Sequence, residues 1–108
     1  MLVYDVMHVE TIGLMESLKV LDFGFNLITE IPRSVVGLKN VVEIYGERCL
    51  MTSLPNTFTY LQTLTKLDIG NNNFTIFPIA LNQIPSLRYL NIRNNLLTLL
   101  PRNINSMT

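Results

Sequence analysis

The sequence predicts an α/β solenoid: a short curved parallel sheet, with irregular or short-helical segments on its convex side. Three observations carry that prediction. Four consecutive segments begin at Leu18, Val41, Leu64 and Leu87, so the chain repeats itself with a period of 23. In that frame, positions 1, 4, 6, 11, 14, 18 and 21 are apolar in 27 of 28 slots, the exception being Gly46 at position 6. Two further columns each hold one residue type, Pro32, Pro55, Pro78 and Pro101 at position 15 and Thr29, Thr52, Thr75 and Thr98 at position 12. Self-similarity at a fixed period of about 20–50 residues marks an architecture whose units bury their apolar faces only against one another.

The elements follow in order. Carrying the frame back by one period puts Ile12 and Met15 at positions 18 and 21, so residues 1–17 read as a partial repeat or cap. Residues 1–5 are not expected to supply that unit's strand. Four repeats follow, at 18–40, 41–63, 64–86 and 87–108. In each, positions 4 and 6 alternate with polar neighbours, as in Leu21-Asp22-Phe23 and Leu67-Asp68-Ile69, which predicts a short strand with one buried side. Position 9 is Asn26, Cys49, Asn72 and Asn95. An asparagine where the chain turns from the sheet bonds backbone groups of a neighbouring repeat, so these four are assigned to a structural ladder. Proline at position 15 fixes φ near about −65° and suits the opening of a helical turn. The apolar pair at positions 18 and 21, such as Val35 and Leu38, then turns one side of that segment inward.

Two departures stand in repeat two. Gly46 is expected to leave a loosely packed or bent strand. Cys49 is expected to weaken the ladder, because a thiol is a poor donor. At the far end Thr108 falls at position 22 with no polar cap, so self-association through uncapped ends is a further expectation.

Composition narrows the function classes. The charges balance, 8 Lys+Arg against 8 Asp+Glu, which speaks against a nucleic-acid binder. One cysteine excludes an intramolecular disulfide and a thiolate-built zinc site, and His8, the single histidine, excludes a two-histidine metal cluster. No apolar run approaches the ~18 residues of a membrane span, and the start, with Asp5, does not read as a signal peptide. No glycine-rich phosphate loop is present. No cofactor and no metal are expected.

The run Leu-x-x-Leu-x-Ile-x-x-Asn-x-Phe/Leu-Thr-x-Phe/Leu-Pro in repeats three and four carries the leucine-rich repeat signature. It most resembles the 23-residue intracellular subclass of that family, which includes Ras-suppressor proteins, the Scribble and erbin scaffolds and the plant Ras-group proteins. The resemblance covers residues 18–108. It implies a non-catalytic adaptor, cytoplasmic, that binds a protein partner through the concave strand face in signalling or polarity assemblies. The alternative is the recognition arm of a larger enzyme such as a kinase, phosphatase or cyclase. An extracellular recognition module comes third, because cysteine-rich caps are absent.

In this frame the outward strand positions are 3, 5, 7 and 8. The candidate partner-binding residues are Asp22, Glu43, Tyr45, Glu47, Lys66, Asp68, Tyr89, Asn91 and Arg93. Tyr45 and Tyr89 are the expected anchors, since aromatic residues on a polar surface suit an interface core. Phe25 is a weaker candidate of the same kind. Residues 1–50 carry a net −3 and residues 51–108 a net +3, a polarity able to orient a partner. Glu43 and Glu47 share a strand face, but no base, nucleophile or ligand joins them, so no catalytic residue is assigned. Asn73-Phe74-Thr75 is a formal glycosylation triplet of the kind chance supplies.

Overall fold

A computed structural model describes residues 2, 3, 14, 16–31 and 33–98. His8, Pro32, Pro101 and the second half of repeat four, from 99 onward, lie outside the described residues. Short strands lie in chain order: β1 (Leu2–Val3), β2 (Val20–Asp22), β3 (Glu43–Tyr45), β4 (Lys66–Asp68) and β5 (Tyr89–Asn91). They form one parallel sheet, β1-β2-β3-β4-β5, in which every strand pairs with its neighbour in sequence. From β2 onward the register is the repeat itself: Leu21 faces Ile44, Ile44 faces Leu67 and Leu67 faces Leu90. Each step is one full period of the sequence, so the strands stack position on position.

One expectation is corrected by the first strand. Residues 2–3 do form a strand, with Leu2 opposite Leu21 and Val3 opposite Asp22. The offset between partners is shorter there than the period that separates the later strands. A frame slid back by the regular period passes over this strand because the first unit is four residues short.

Behind the sheet each of the first three repeats returns through a 3-10 turn, at Arg33–Gly37, Asn56–Tyr60 and Ile79–Gln83. Pro55 and Pro78 sit just before two of them at φ −67° and −69°, and their carbonyls accept from the N–H groups of Phe58 and Leu81. A segment so short cannot bury a broad face, and the i, i+3 pair is enough. Val35 with Leu38, Phe58 with Leu61 and Leu81 with Ile84 are all buried. They meet Leu21, Ile44 and Leu67 from the strands in one continuous core that includes Phe23, Phe74 and Phe77. At the last described repeat Leu90, Ile92 and Leu97 are only half-buried, because no described unit covers them.

Gly46 is also corrected. A β-carbon built there would lie 2.6 and 2.7 Å from two ring carbons of Phe23 and 3.1 Å from the Met51 methyl. The space under repeat two is therefore filled, by the ring one repeat earlier. Phenylalanine at position 6 of repeat one and glycine at position 6 of repeat two share the volume that isoleucines fill at Ile69 and Ile92.

Candidate functional site

The position-9 ladder is the deepest polar feature. Asn72, 4% exposed, donates through Nδ2 to the carbonyls of Gly46 (2.9 Å), Ile69 (2.9 Å) and Gly70 (3.1 Å). Its Oδ1 accepts from the Met51 N–H at 3.0 Å. Asn95 repeats the pattern one unit on, donating to Ile69, Ile92 and Arg93 and accepting from the Phe74 N–H at 3.0 Å. Asn26 bonds the carbonyls of Phe23 and Gly24. Cys49 keeps the cross-repeat contact, its thiol 3.4 Å from Phe23 O and 3.9 Å from Glu47 O. Sulfur does so at longer range and with a weaker donor.

Burial pushes the Cys49 thiol above its ordinary value, against the opposing pull of backbone N–H groups at Asn26, Ile28 and Phe25. A raised acid pKa lowers stability as pH rises past the value for the free thiol, since the unfolded chain ionises first. Native Cys49 is therefore expected to react with a thiol reagent near pH 8 only as fast as the chain opens. Labelling as rapid as that of a free thiol would contradict this.

A second ladder, between successive turns of the solenoid, was not foreseen. Position 23 is Asn40, Thr63 and Ser86, and each side chain reaches back one turn of the chain: Asn40 to Glu16 O at 2.8 Å, and Thr63 and Ser86 to the first carbonyl of their own repeats, Val41 O at 2.7 Å and Leu64 O at 2.6 Å. Its signal in the sequence is a small polar residue closing each of these units.

On the outward face of the sheet the structure brings some predicted residues together and ties others down. Asp22, Asp68 and Asn91 at position 5 each accept from the backbone N–H two residues on, at Gly24, Gly70 and Arg93 (2.9, 3.1 and 3.1 Å). These side chains close the turn that leaves the sheet, so each has one oxygen committed to the fold. Glu47 accepts from Asn71 Nδ2 at 3.2 Å. Arg93 is exposed, whereas Gly70, expected outward at position 7, is buried.

Tyr45 takes position 5 in repeat two and cannot close that turn. Its hydroxyl instead donates a hydrogen bond to Glu43 Oε1. The Lys66 ammonium lies 5.3 Å from the Tyr45 ring centre and 4.9 Å from that of Tyr89. Three adjacent strands thus present tyrosine, lysine and tyrosine in a row, with Glu43 at one end. The bond to Glu43 holds the Tyr45 phenol above its usual range, and interaction with the Tyr45 hydroxyl raises Lys66. Tyr45 is therefore neutral and Lys66 charged throughout the neutral range. Such a row offers aromatic faces and a fixed cation, both suited to an interface centre.

Position 8 carries a feature that sequence reasoning missed. Phe25, Arg48, Asn71 and Asn94 all have left-handed backbone, with φ of 63°, 59°, 56° and 56°. Asparagine tolerates that region, whereas other L-residues lose about 1–2 kcal/mol there. The paired asparagines Asn71-Asn72 and Asn94-Asn95 were the available signal. Phe25 is 71% exposed, and the Arg48 guanidinium carbon stands 5.5 Å from its ring centre.

The opposite side holds a groove of about 280 Å³ between repeats two and three, lined by Thr52, Leu54, Ile76 and Ile79 among others. Asn56 also lines this groove, and with Gln83 it lines a second cavity next to it. Among the described residues no helix is long and apolar enough to cross a membrane.

A sequence profile described as leucine rich repeat matches residues 52–97. No curated protein matches the chain. Among solved structures, a leucine-rich repeat protein of Leptospira interrogans is 33% identical over 86% of this chain, with a TM-score of 0.80. TLR13, solved as a complex with ssRNA13, is 26% identical over 92%, with a TM-score of 0.78. The plant peptide hormone receptor RGFR1, solved with RGF2, shares the fold at 24% identity over 78%, with a TM-score of 0.69. The chain spans 24%, 15% and 14% of those three chains respectively. With the strand register, the asparagine ladder and the Pro-initiated turns, these likenesses support a leucine-rich repeat fold, a solenoid of stacked repeats.

Proposed function

We propose that the chain is a non-catalytic protein-interaction module that holds a protein partner on the outward face of its sheet. The observation that carries this is the Tyr45–Lys66–Tyr89 row, three side chains from three neighbouring strands set on a rigid parallel platform. Glu43, Glu47 and Arg93 flank it, and Asp22 and Asp68 hold position 5 on the strands to either side of β3. An adaptor of the 23-residue intracellular subclass, working in the cytoplasm, fits the repeat length and the single buried thiol of Cys49. Fractionation of cells carrying the native gene tests that location, and recovery in the medium would reject it. One matched structure is a complex with ssRNA13. This chain's balanced charge lacks the basic excess that such a ligand needs. A second reading, the recognition arm of a larger protein, is favoured by the lengths of the three matched chains.

Truncating an anchor aromatic at a desolvated interface centre costs about 2 kcal/mol or more, whereas a rim charge chiefly alters association rate and salt dependence. With a partner recovered by affinity capture, Tyr45→Ala is expected to raise the off-rate roughly thirtyfold, in line with that energy. Asp68→Ala is expected to change salt sensitivity. Asn56→Ala and Gln83→Ala, on the opposite side, should do little. Loss of binding in those two with Tyr45→Ala unaffected would move the site to the groove behind the sheet.

A further inference from the structure

The left-handed column marks a second surface. Position 9 turns inward into the ladder, so positions 8 and 10 on either side of it both turn outward. In repeat three those positions are Asn71 and Asn73, which are polar, and Asn71 suits the left-handed backbone. In repeats one and two they are Phe25 with Leu27 and Arg48 with Leu50. Leu27 is 87% exposed and Leu50 43%. The two loops are held side by side, the Phe25 N–H bonding Glu47 O at 2.8 Å and the Leu50 N–H bonding Ile28 O at 2.9 Å.

Two independent features point to use rather than to folding. Phe25 and Arg48 occupy a backbone conformation that their residue types disfavour, while gaining no burial from it. Exposed strain of this kind persists where something other than stability keeps the side chain. The second feature is electrostatic. Among the described residues no carboxylate lies within ion-pair distance of Arg48, and neighbouring Glu47 is engaged by Asn71. A guanidinium stacked on an aromatic ring, beside two exposed leucines, is a cation set in an apolar patch with its counter-charge missing. Phenylalanine and arginine are also among the side-chain types enriched at interfaces relative to the rest of a protein surface.

We propose that Phe25, Leu27, Arg48 and Leu50 form a docking surface on the loop rim of repeats one and two. Its occupant is a polypeptide segment that sets one aspartate or glutamate among large apolar side chains. The carboxylate takes two parallel N–H bonds from Arg48, in the geometry guanidinium favours. The apolar neighbours cover Phe25 and the leucines. This surface shares no residue with the tyrosine row and rests on none of its contacts.

The test pans a phage-displayed random dodecapeptide library against the immobilised full chain. Selected peptides are expected to carry an acidic residue within two positions of large apolar ones. Their affinity should fall at least tenfold on Phe25→Asn and on Arg48→Asn. Both variants should stay folded and unfold at higher denaturant than the parent, because asparagine fits the left-handed backbone. Changing the peptide carboxylate to its amide should weaken binding to the parent but cause no further loss on Arg48→Asn. Peptides that bind both variants as they bind the parent, or that lack an acidic residue, would overturn the proposal. So would a failure to select any peptide. Peptides lost on Tyr45→Ala and kept on Phe25→Asn would also overturn it, while supporting the sheet-face function.

Discussion

Gly46→Ile is expected to destabilise the fold by about 3 kcal/mol or more, the upper range for overpacking a filled core. Isoleucine is the residue that occupies the same repeat position at 69 and 92, so by repeat similarity the change is a correction. By packing it is a collision. The first added carbon alone meets the Phe23 ring at 2.6 and 2.7 Å and the Met51 methyl at 3.1 Å, and both side chains are fully buried. No glycine in the described chain has positive φ, so the penalty comes from volume and not from backbone freedom. Gly46→Ala should cost about 1–3 kcal/mol for the same reason. Phe23→Leu in the Gly46→Ala background should recover part of that loss, because the smaller side chain vacates the contested space. Residues that share a volume couple by about 0.5–3 kcal/mol in a double-mutant cycle. Denaturant unfolding of the four proteins measures it. Strictly additive effects would show that the ring and the glycine do not compensate one another.

That pair also shows where the sequence was legible. The register was readable because the apolar columns recur at one fixed period, and each strand from β2 to β5 pairs at that spacing. Column-by-column reading treats each repeat alone, however, and a solenoid packs each repeat into its neighbour. Gly46 looked like a void for that reason, although Phe23 fills it. The strand at Leu2–Val3 was missed because its unit is four residues short, so the frame passed over it. Position 5 gave candidate binding charges at Asp22 and Asp68, yet each closes its own turn first, through a bond that strand alternation does not reveal. The tyrosine row was legible as separate exposed aromatics. What joins them is Lys66, which becomes their shared neighbour only once the strands are in register. Position 8 was read as one more outward position, because nothing in an apolar pattern reports the sign of φ.

Asn72→Ala is expected to cost about 3 kcal/mol, the largest single loss from the ladder. Its size follows from the groups left behind. Gly70 O keeps the Arg48 N–H at 3.0 Å, and Ile69 O keeps Asn95 Nδ2 at 3.1 Å, so neither carbonyl is stripped of a donor. The Met51 N–H loses the Asn72 oxygen, and Gly46 O loses the Asn72 amide, both inside the packed repeat. A buried polar group deprived of its partner costs about 1–3 kcal/mol, and two such groups set the expected size. Asn95→Ala removes the same kinds of bond from a half-buried side chain in the last described repeat, where water reaches the vacated groups, so its loss should be smaller. Cys49→Asn runs the comparison in reverse. An amide there gains the stronger donor toward Phe23 O and an oxygen toward the Ile28 N–H, the counterpart of Met51 one repeat earlier. It should raise stability by about 1 kcal/mol, the net worth of an ordinary hydrogen bond. Equilibrium denaturation of the three variants orders them as Cys49→Asn, Asn95→Ala and Asn72→Ala from most to least stable. If Asn72→Ala unfolds at the parent's midpoint, or if Asn95→Ala unfolds before Asn72→Ala, the ladder does not bear on stability in proportion to its burial, and the binding sites on the turns around it lose their rigid support.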